Sequence, residues 1–411
     1  MDENEFKIPG LLTDKHGNLL NQTRNYHLIL KHDPHFERIY LNDMTGHIVV
    51  KNGGHVRQWT DRDDATAREY IEAEYNIYHR QKYQDGFQSF LNSRIYNPCI
   101  EQIEREQWDG EKRVKNFLCH ILGAEDTAAN KESSRLIFAG GINRAYDPGC
   151  KFDVVIVLIG PQGCGKSTVC MWLALNDTFY VPLKTLDGKT AEENIEGAWI
   201  VEIEELTGLF SSRRRSGTDD AAKAFISATK SVFRHAYAHN VVQTPRRCIF
   251  IATTNHYEFL EDQTGNRRWF PVRCNQTATE LYAHKAEYQH YIRQCWAEML
   301  TAYRNGDPLA DPAPNIDVLK DIEVAQEQAT VEDWRVPEIA KFIEGKEKTY
   351  ILEIWRALHK DGYCPELSKK DSNEISQILR YKLGWKPAEV EYSPDDKKTH
   401  KMFYPPLPFN D

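Results

Sequence analysis

Apolar positions fall into two textures along this chain. Before residue 150 they come in short runs between polar turns. Tyr26–Lys31 (YHLILK), Arg38–Leu41 and His47–Val50 alternate as strands do, with Thr45–Gly46 as a turn. Asp63–Asp64 predicts a helix start ahead of Thr66–Tyr78, a second helix follows over Phe87–Ser93, and Asn97–Pro98 marks a break. Trp108–Asp109–Gly110 reads as a turn feeding a helix over Lys112–Leu122, where Val114, Phe117, Leu118 and Ile121 recur at helical spacing, and a further helix is expected over Glu132–Ile142. From Phe152 the apolar runs are continuous. Val154–Ile159, Trp199–Ile203 and Cys248–Thr253 alternate with helical segments such as Lys166–Ala174, and a helix over Ala283–Tyr303 closes the region. Buried strands alternating with helices predict an α/β fold with a mostly parallel sheet covered on both faces.

Asn305–Asn315 (NGDPLADPAPN) has a linker's composition. Beyond it, helices over Thr349–Lys360 and Ser372–Leu383 and a strand over Lys397–Tyr404 form a winged-helix-like pattern. The expected plan is a strand-rich region over 1–62, a helical domain over 63–150, an α/β domain over 151–304, a linker over 305–330 and a winged-helix-like domain over 331–411.

Composition narrows the function classes. The 411 residues are 41% hydrophobic, enough for more than one packed core. No apolar run reaches the roughly 18–20 residues that span a bilayer, and Met1–Leu20 contains no signal-peptide core. The nine cysteines are scattered and never form CxxC, so a reduced, cytoplasmic setting is expected, with no membrane partner. Net charge is −9, and any nucleic-acid contact must come from a local patch. One exists: Gly208 to Phe250 holds eight Lys/Arg against two acids, just after the acidic run of Glu192, Glu193, Glu196, Glu202, Glu204 and Glu205. Val331 to Asp411 is balanced, with 14 basic and 15 acidic residues, and does not stand out as a DNA reader.

The most specific motif is Gly160-Pro161-Gln162-Gly163-Cys164-Gly165-Lys166-Ser167, followed by Thr168. It fits G-x-x-x-x-G-K-[ST] between a predicted strand and a predicted helix, the context that gives the pattern meaning. Glycines let backbone N–H groups wrap phosphate oxygens, and the helix N-terminus adds a positive dipole. Lys166 would neutralise the β- and γ-phosphates of ATP, and the Ser167 hydroxyl would ligate Mg2+. A carboxylate strand is then required. Ala198–Ile203 leads into Glu204 and Glu205, and the expectation is Glu202 on the metal, Glu205 activating water and Glu204 as the spare. Asn255, ending the third apolar run, could reach the γ-phosphate or the attacking water. Arg267 and Arg268 precede another apolar run, and guanidinium suits a transferring phosphoryl group. One of them reaching a neighbouring subunit would require a ring; pairing with Glu258, Glu261 or Asp262 is the alternative.

These motifs resemble the virulence-associated protein E family of phage and mobile-element ATPases, which is similar to superfamily 3 helicases and poxvirus-type primase-helicases. The likeness covers roughly residues 25 to 300. It includes YHLILKHDPHFERIYLND, Trp108–Arg113, Tyr146–Gly149, KFDVVIVLIGPQGCGKST, Trp199–Glu202 with Glu205–Leu206, Lys223–Phe225, Arg234, Tyr237, Ala252–Asn255 and Thr264–Val272. It implies a P-loop AAA-like core, ATP hydrolysis with Mg2+, assembly into a homo-oligomeric ring, expected as a hexamer, and single-stranded or forked DNA as partner. By position, Lys166 and Ser167 match the first motif, Glu202 and Glu205 the second, Asn255 the sensor, and Arg267 or Arg268 the arginine finger.

A DNA-tracking hairpin is expected at Arg234–Asn240. Tyr237 and His239 would stack on bases, and Arg234, Arg246 and Arg247 would hold phosphates, with His235 beside them. The alternatives are Tyr237 in the core and Arg246 and Arg247 at a strand's solvated edge. The loop Arg213–Arg215 is either a phosphate-contacting arm or a solvated excursion. Ser231 departs from the acidic residue expected there in relatives. Residues 1–150 lack a paired-carboxylate polymerase motif, so a separate primase or host replication proteins are expected partners.

The resulting expectation is a ring ATPase that threads or remodels DNA in phage or mobile-element replication. Its rivals are an ATP switch, such as a helicase loader or defence effector, and a small-molecule kinase. The double arginine and basic hairpin disfavour the kinase.

Overall fold

Tyr26, Ile29 and Leu30 are buried together on one face of a helix, Thr23–His32, where the alternating YHLILK segment predicted a strand. The spacing of the buried residues, three and then one apart, is helical, and their burial decides the outcome. This helix packs on the helix Arg80–Asn92, whose Gly86 permits the approach: a Cβ there would lie 2.7 Å from Tyr26 Cβ. Strands β1 (Ile39–Asn42), β2 (Ile48–Asn52), β3 (His55–Gln58) and β4 (Ile95–Tyr96) form a sheet in the order β3-β2-β1-β4 beside them. The helix Asp61–Tyr75 opens on a capping box: Thr60 Oγ1 accepts from the Asp63 amide, and the Asp63 carboxylate accepts from the Thr60 amide.

The computed structural model describes residues 8–186, 188–206, 218–233, 242–260, 266–330, 335–360, 364–393 and 397–406. Two units separate, Met1–Thr330 and Val331–Asp411. No helix among the described residues is long and apolar enough to cross a membrane.

The centre of the first unit is a five-stranded sheet. Its strands are β5 (Val155–Ile159), β6 (Tyr180–Leu183), β7 (Ile200–Ile203), β10 (Ile249–Thr254) and β11 (Trp269–Arg273). They are all parallel, in the order β11-β5-β10-β7-β6. Strands β8 (Lys230–Phe233) and β9 (Val242–Pro245), which fall between β7 and β10 in the chain, pair, among the described residues, only with each other. Side chains of β5 alternate between two apolar layers. Ile156 and Leu158 join Phe138 and Trp296, whereas Val155, Val157 and Ile159 join Phe250 and Trp269. The helix Ala128–Tyr146 runs buried through the first layer, and Gly140 and Gly141 lie flat against Phe152 and Trp296, where a Cβ would come within 2.4 Å and 2.5 Å.

Residues 305–330 are part of this core, not a linker. Arg135, paired with Glu132 and buried, donates to the carbonyls of Leu309, Asp311 and Ala313. Gln326, on the helix Leu319–Gln328, donates to the carbonyls of Asn266 and Trp269. Proline-rich composition here marks an irregular path pinned by buried hydrogen bonds.

The second unit has its own core of Ile339, Ile354, Ile375, Leu379 and Phe403. In chain order it contains the helix Arg335–Ile343, β12 (Thr349–Tyr350), the helix Ile351–Leu358, the helix Lys369–Gln377, β13 (Lys386–Ser393) and β14 (Lys398–Tyr404). The sheet order is β12-β14-β13, all antiparallel.

Candidate functional site

The glycine loop leaves the carboxyl end of β5 and closes on the helix Lys166–Leu173. Gly163 and Gly165 have φ of 81° and 87°, a left-handed backbone open to glycine. At Gly165 a side chain would also strike Leu281, 2.4 Å from its Cδ2. Gln162 through Thr168 line a cavity of about 500 Å3 together with Glu204, Glu205, Thr253, Thr254, Asn255 and His256. The N-terminus of the helix opens into it, so unpaired amides and the helix dipole favour an anion there.

Lys166 is 7% exposed. Its ammonium donates to the carbonyls of Gly160 (2.7 Å) and Pro161 (3.0 Å) and to Asn255 Oδ1 (3.0 Å). The next residue, Ser167, donates to Glu202 Oε1 at 2.6 Å. Glu202 is fully buried, and Thr253 Oγ1 (2.8 Å, to Oε1) and the Tyr180 hydroxyl (to Oε2) also donate to its carboxylate. Register explains the cluster: Tyr180 lies opposite Ile200, and Glu202 opposite Ile251. Tyr180, Glu202 and Thr253 therefore project from one face of three neighbouring strands. Burial and the adjoining carboxylate raise the Tyr180 phenol well above its usual range.

A buried carboxylate is costly unless paired. Among the described residues, Glu202 has hydroxyl donors and no cationic partner. Nor do the described residues contain a group of three His, Cys, Asp or Glu able to hold a metal by themselves. One carboxylate and one hydroxyl oxygen beside an anion cavity suit a hard divalent cation that takes its other ligands from phosphate and water.

The following residues divide. Glu204 is half-buried, with Lys184 at 3.8 Å. Glu205 is exposed on the cavity wall, and its φ of 49° is a left-handed conformation uncommon for a residue with a Cβ. Tyr180, Thr253 and His256 were not anticipated from sequence. Thr253 had a signal, since it stands two residues before Asn255 and so on the same strand face. Tyr180 sits in β6, where Pro182 and a four-residue length hide the strand.

The model of the virulence-associated protein E-like domain matches residues 100–331. The chain belongs to this family. The match begins after the YHLILK segment and takes in the packed 305–330 stretch, so this E-like domain closes with the first structural unit. The DNA repair protein RAD51 homolog 2 of Arabidopsis thaliana is 29% identical over 128 residues, 31% of this chain and 27% of that protein. The chain thus spans about a quarter of that curated relative. Among solved structures, the apo NrS-1 C-terminal region is 12% identical, with 90% of this chain and 96% of that chain covered and a TM-score of 0.49. An A form of the same region has the same identity and coverage and a TM-score of 0.48.

Within the E-like domain the two arginines part ways. Arg268 is held within its own chain: Nε donates to Ser227 Oγ at 2.9 Å and lies 3.6 Å from Asp153. Arg267 is exposed and has no ion partner among the described residues. Of the expected DNA contacts, Arg234, His235, Tyr237 and His239 lie outside the described residues, as does the loop Arg213–Arg215. Arg246 needs correction. It is 2% exposed, pairs with Glu192 at 2.9 Å and donates to the Phe225 carbonyl, so its guanidinium is spent inside the core. Ser231, the departure noted in sequence, lies 3.4 Å from the same guanidinium. Arg247 is largely buried against Asp43 at 2.7 Å. Both arginines follow β9 and turn inward to acids far away in sequence, not outward to a solvated edge.

Proposed function

We propose that the chain is a Mg2+-dependent ATPase of the AAA-like P-loop type that assembles into a ring and moves on DNA during replication of a phage or mobile element. The carrying observation is the Lys166–Asn255 and Ser167–Glu202 constellation at the carboxyl ends of β5, β7 and β10, the edge of an α/β sheet where ligands bind.

Each role follows from position. The loop amides and Lys166 bind and orient the triphosphate. Ser167 and Glu202 would hold Mg2+, which would supply charge neutralisation to the phosphates. Glu205, on the cavity wall, takes the proton of the attacking water, and Asn255 fixes that water or the γ-phosphate. Arg267, exposed and without an ion partner among the described residues, completes a neighbour's site, which makes turnover depend on assembly. The remaining basic residues around β8 and β9 contact DNA phosphates. In the second unit, the element order and the β12-β14-β13 sheet support a winged-helix reading.

Strand separation on a tailed duplex tests this reading. We expect unwinding that needs ATP and Mg2+ and is lost in Lys166→Ala. ATP hydrolysis without strand displacement would favour an ATP switch, and no ATP binding by folded protein would reject the nucleotide site.

A further inference from the structure

Glu202 carries its hydrogen bonds unevenly. Ser167 and Thr253 both donate to Oε1, and among the described residues Tyr180 alone donates to Oε2. The terminal torsion of a glutamate is soft and roughly two-fold, so two donors on one oxygen leave the other free to swing. Ser167, moreover, belongs to the glycine loop and its helix, the element that meets the ligand, whereas Tyr180 is fixed on β6 by parallel pairing with β7. The phenol therefore ties the carboxylate plane to the sheet whatever the loop does.

We propose that Tyr180 is a positioning residue that orients Glu202 for the divalent cation accompanying the nucleotide. This rests on the ATP–Mg2+ reading of the cavity. Tyr180 does not line the cavity, so its effect passes through the Glu202 carboxylate. Outer partners of metal ligands are worth about 10–100-fold in metal affinity, and a buried carboxylate oxygen stripped of its donor pays its full desolvation penalty.

The test is Tyr180→Phe in the full chain, which removes one oxygen. Nucleotide binding is measured with a fluorescent ATP analogue in EDTA, and Mn2+ binding in the presence of nucleotide by electron paramagnetic resonance. Metal-free nucleotide affinity should stay within about twofold, while half-saturating Mn2+ rises about tenfold or more. An unshifted Mn2+ titration in a variant with wild-type melting temperature overturns the inference and leaves the proposed function standing. Wild-type protein that binds no nucleotide overturns both. Should Tyr180→Phe not fold, 4-aminophenylalanine at position 180 keeps a donor at the same place on the ring. Half-saturating Mn2+ should then stay within about twofold of wild type, and a rise of about tenfold despite the retained donor overturns the inference.

Discussion

Lys166 Nζ donates to Asn255 Oδ1 across 3.0 Å, joining the glycine loop after β5 to the end of β10. The ammonium proposed to meet phosphate is thus tied to the residue proposed to orient the attacking water. Asn255→Asp places a carboxylate against this ammonium, where it competes with phosphate for the charge. ATP affinity should fall about tenfold or more. Asn255→Ala should leave affinity within a few-fold and remove most turnover. Equilibrium binding and steady-state hydrolysis on both variants check the pair.

Arg267, not Arg268, is expected to act in trans. Arg267→Ala should bind ATP normally and lose turnover by about a thousandfold, the scale of an arginine finger. Mixing it with Lys166→Ala should restore part of the activity, since each variant supplies what the other lacks. Arg268→Ala gives up its contacts to Ser227 and Asp153 and should cost about 1–2 kcal/mol of stability. Its turnover should stay near wild type.

Removing Arg246 should appear in stability. Arg246→Ala leaves Glu192 without its partner, a loss of about 3–5 kcal/mol for a buried pair broken on one side. Urea unfolding checks it.

Asp63 makes one helix start pH-sensitive. Hydrogen bonds from Arg57 and Thr60 hold its carboxyl well below the usual carboxylate range. A depressed folded pKa gives stability that is present above the unfolded value, about 3.9, and is lost as pH falls through the folded one. Asp63→Ala should therefore cost about 1 kcal/mol at neutral pH, and the difference from wild type should shrink in strong acid. Thermal unfolding across pH reads it.

The glycine-loop cavity was legible because its chemistry is local: eight consecutive residues form the cradle, Glu202 lies near the end of one apolar run and Asn255 follows another. What sequence hid depends on partners far along the chain. Arg246 looks like a DNA contact until Glu192, 54 positions away, is seen across from it. Tyr180 meets Glu202 through strand register, which no spacing along the chain encodes. The segment at 305–330 has a linker's composition, and only the buried Arg135 and Gln326 reveal that it is held. YHLILK satisfies both periods over six residues, and burial of Tyr26, Ile29 and Leu30 chose the helix.

ATP turnover by the full chain, measured with Mg2+ or EDTA and with or without single-stranded DNA, tests the central claim most directly. Hydrolysis should require Mg2+, rise with DNA and disappear in Lys166→Ala. Turnover indifferent to DNA and to Lys166→Ala in folded protein would contradict it.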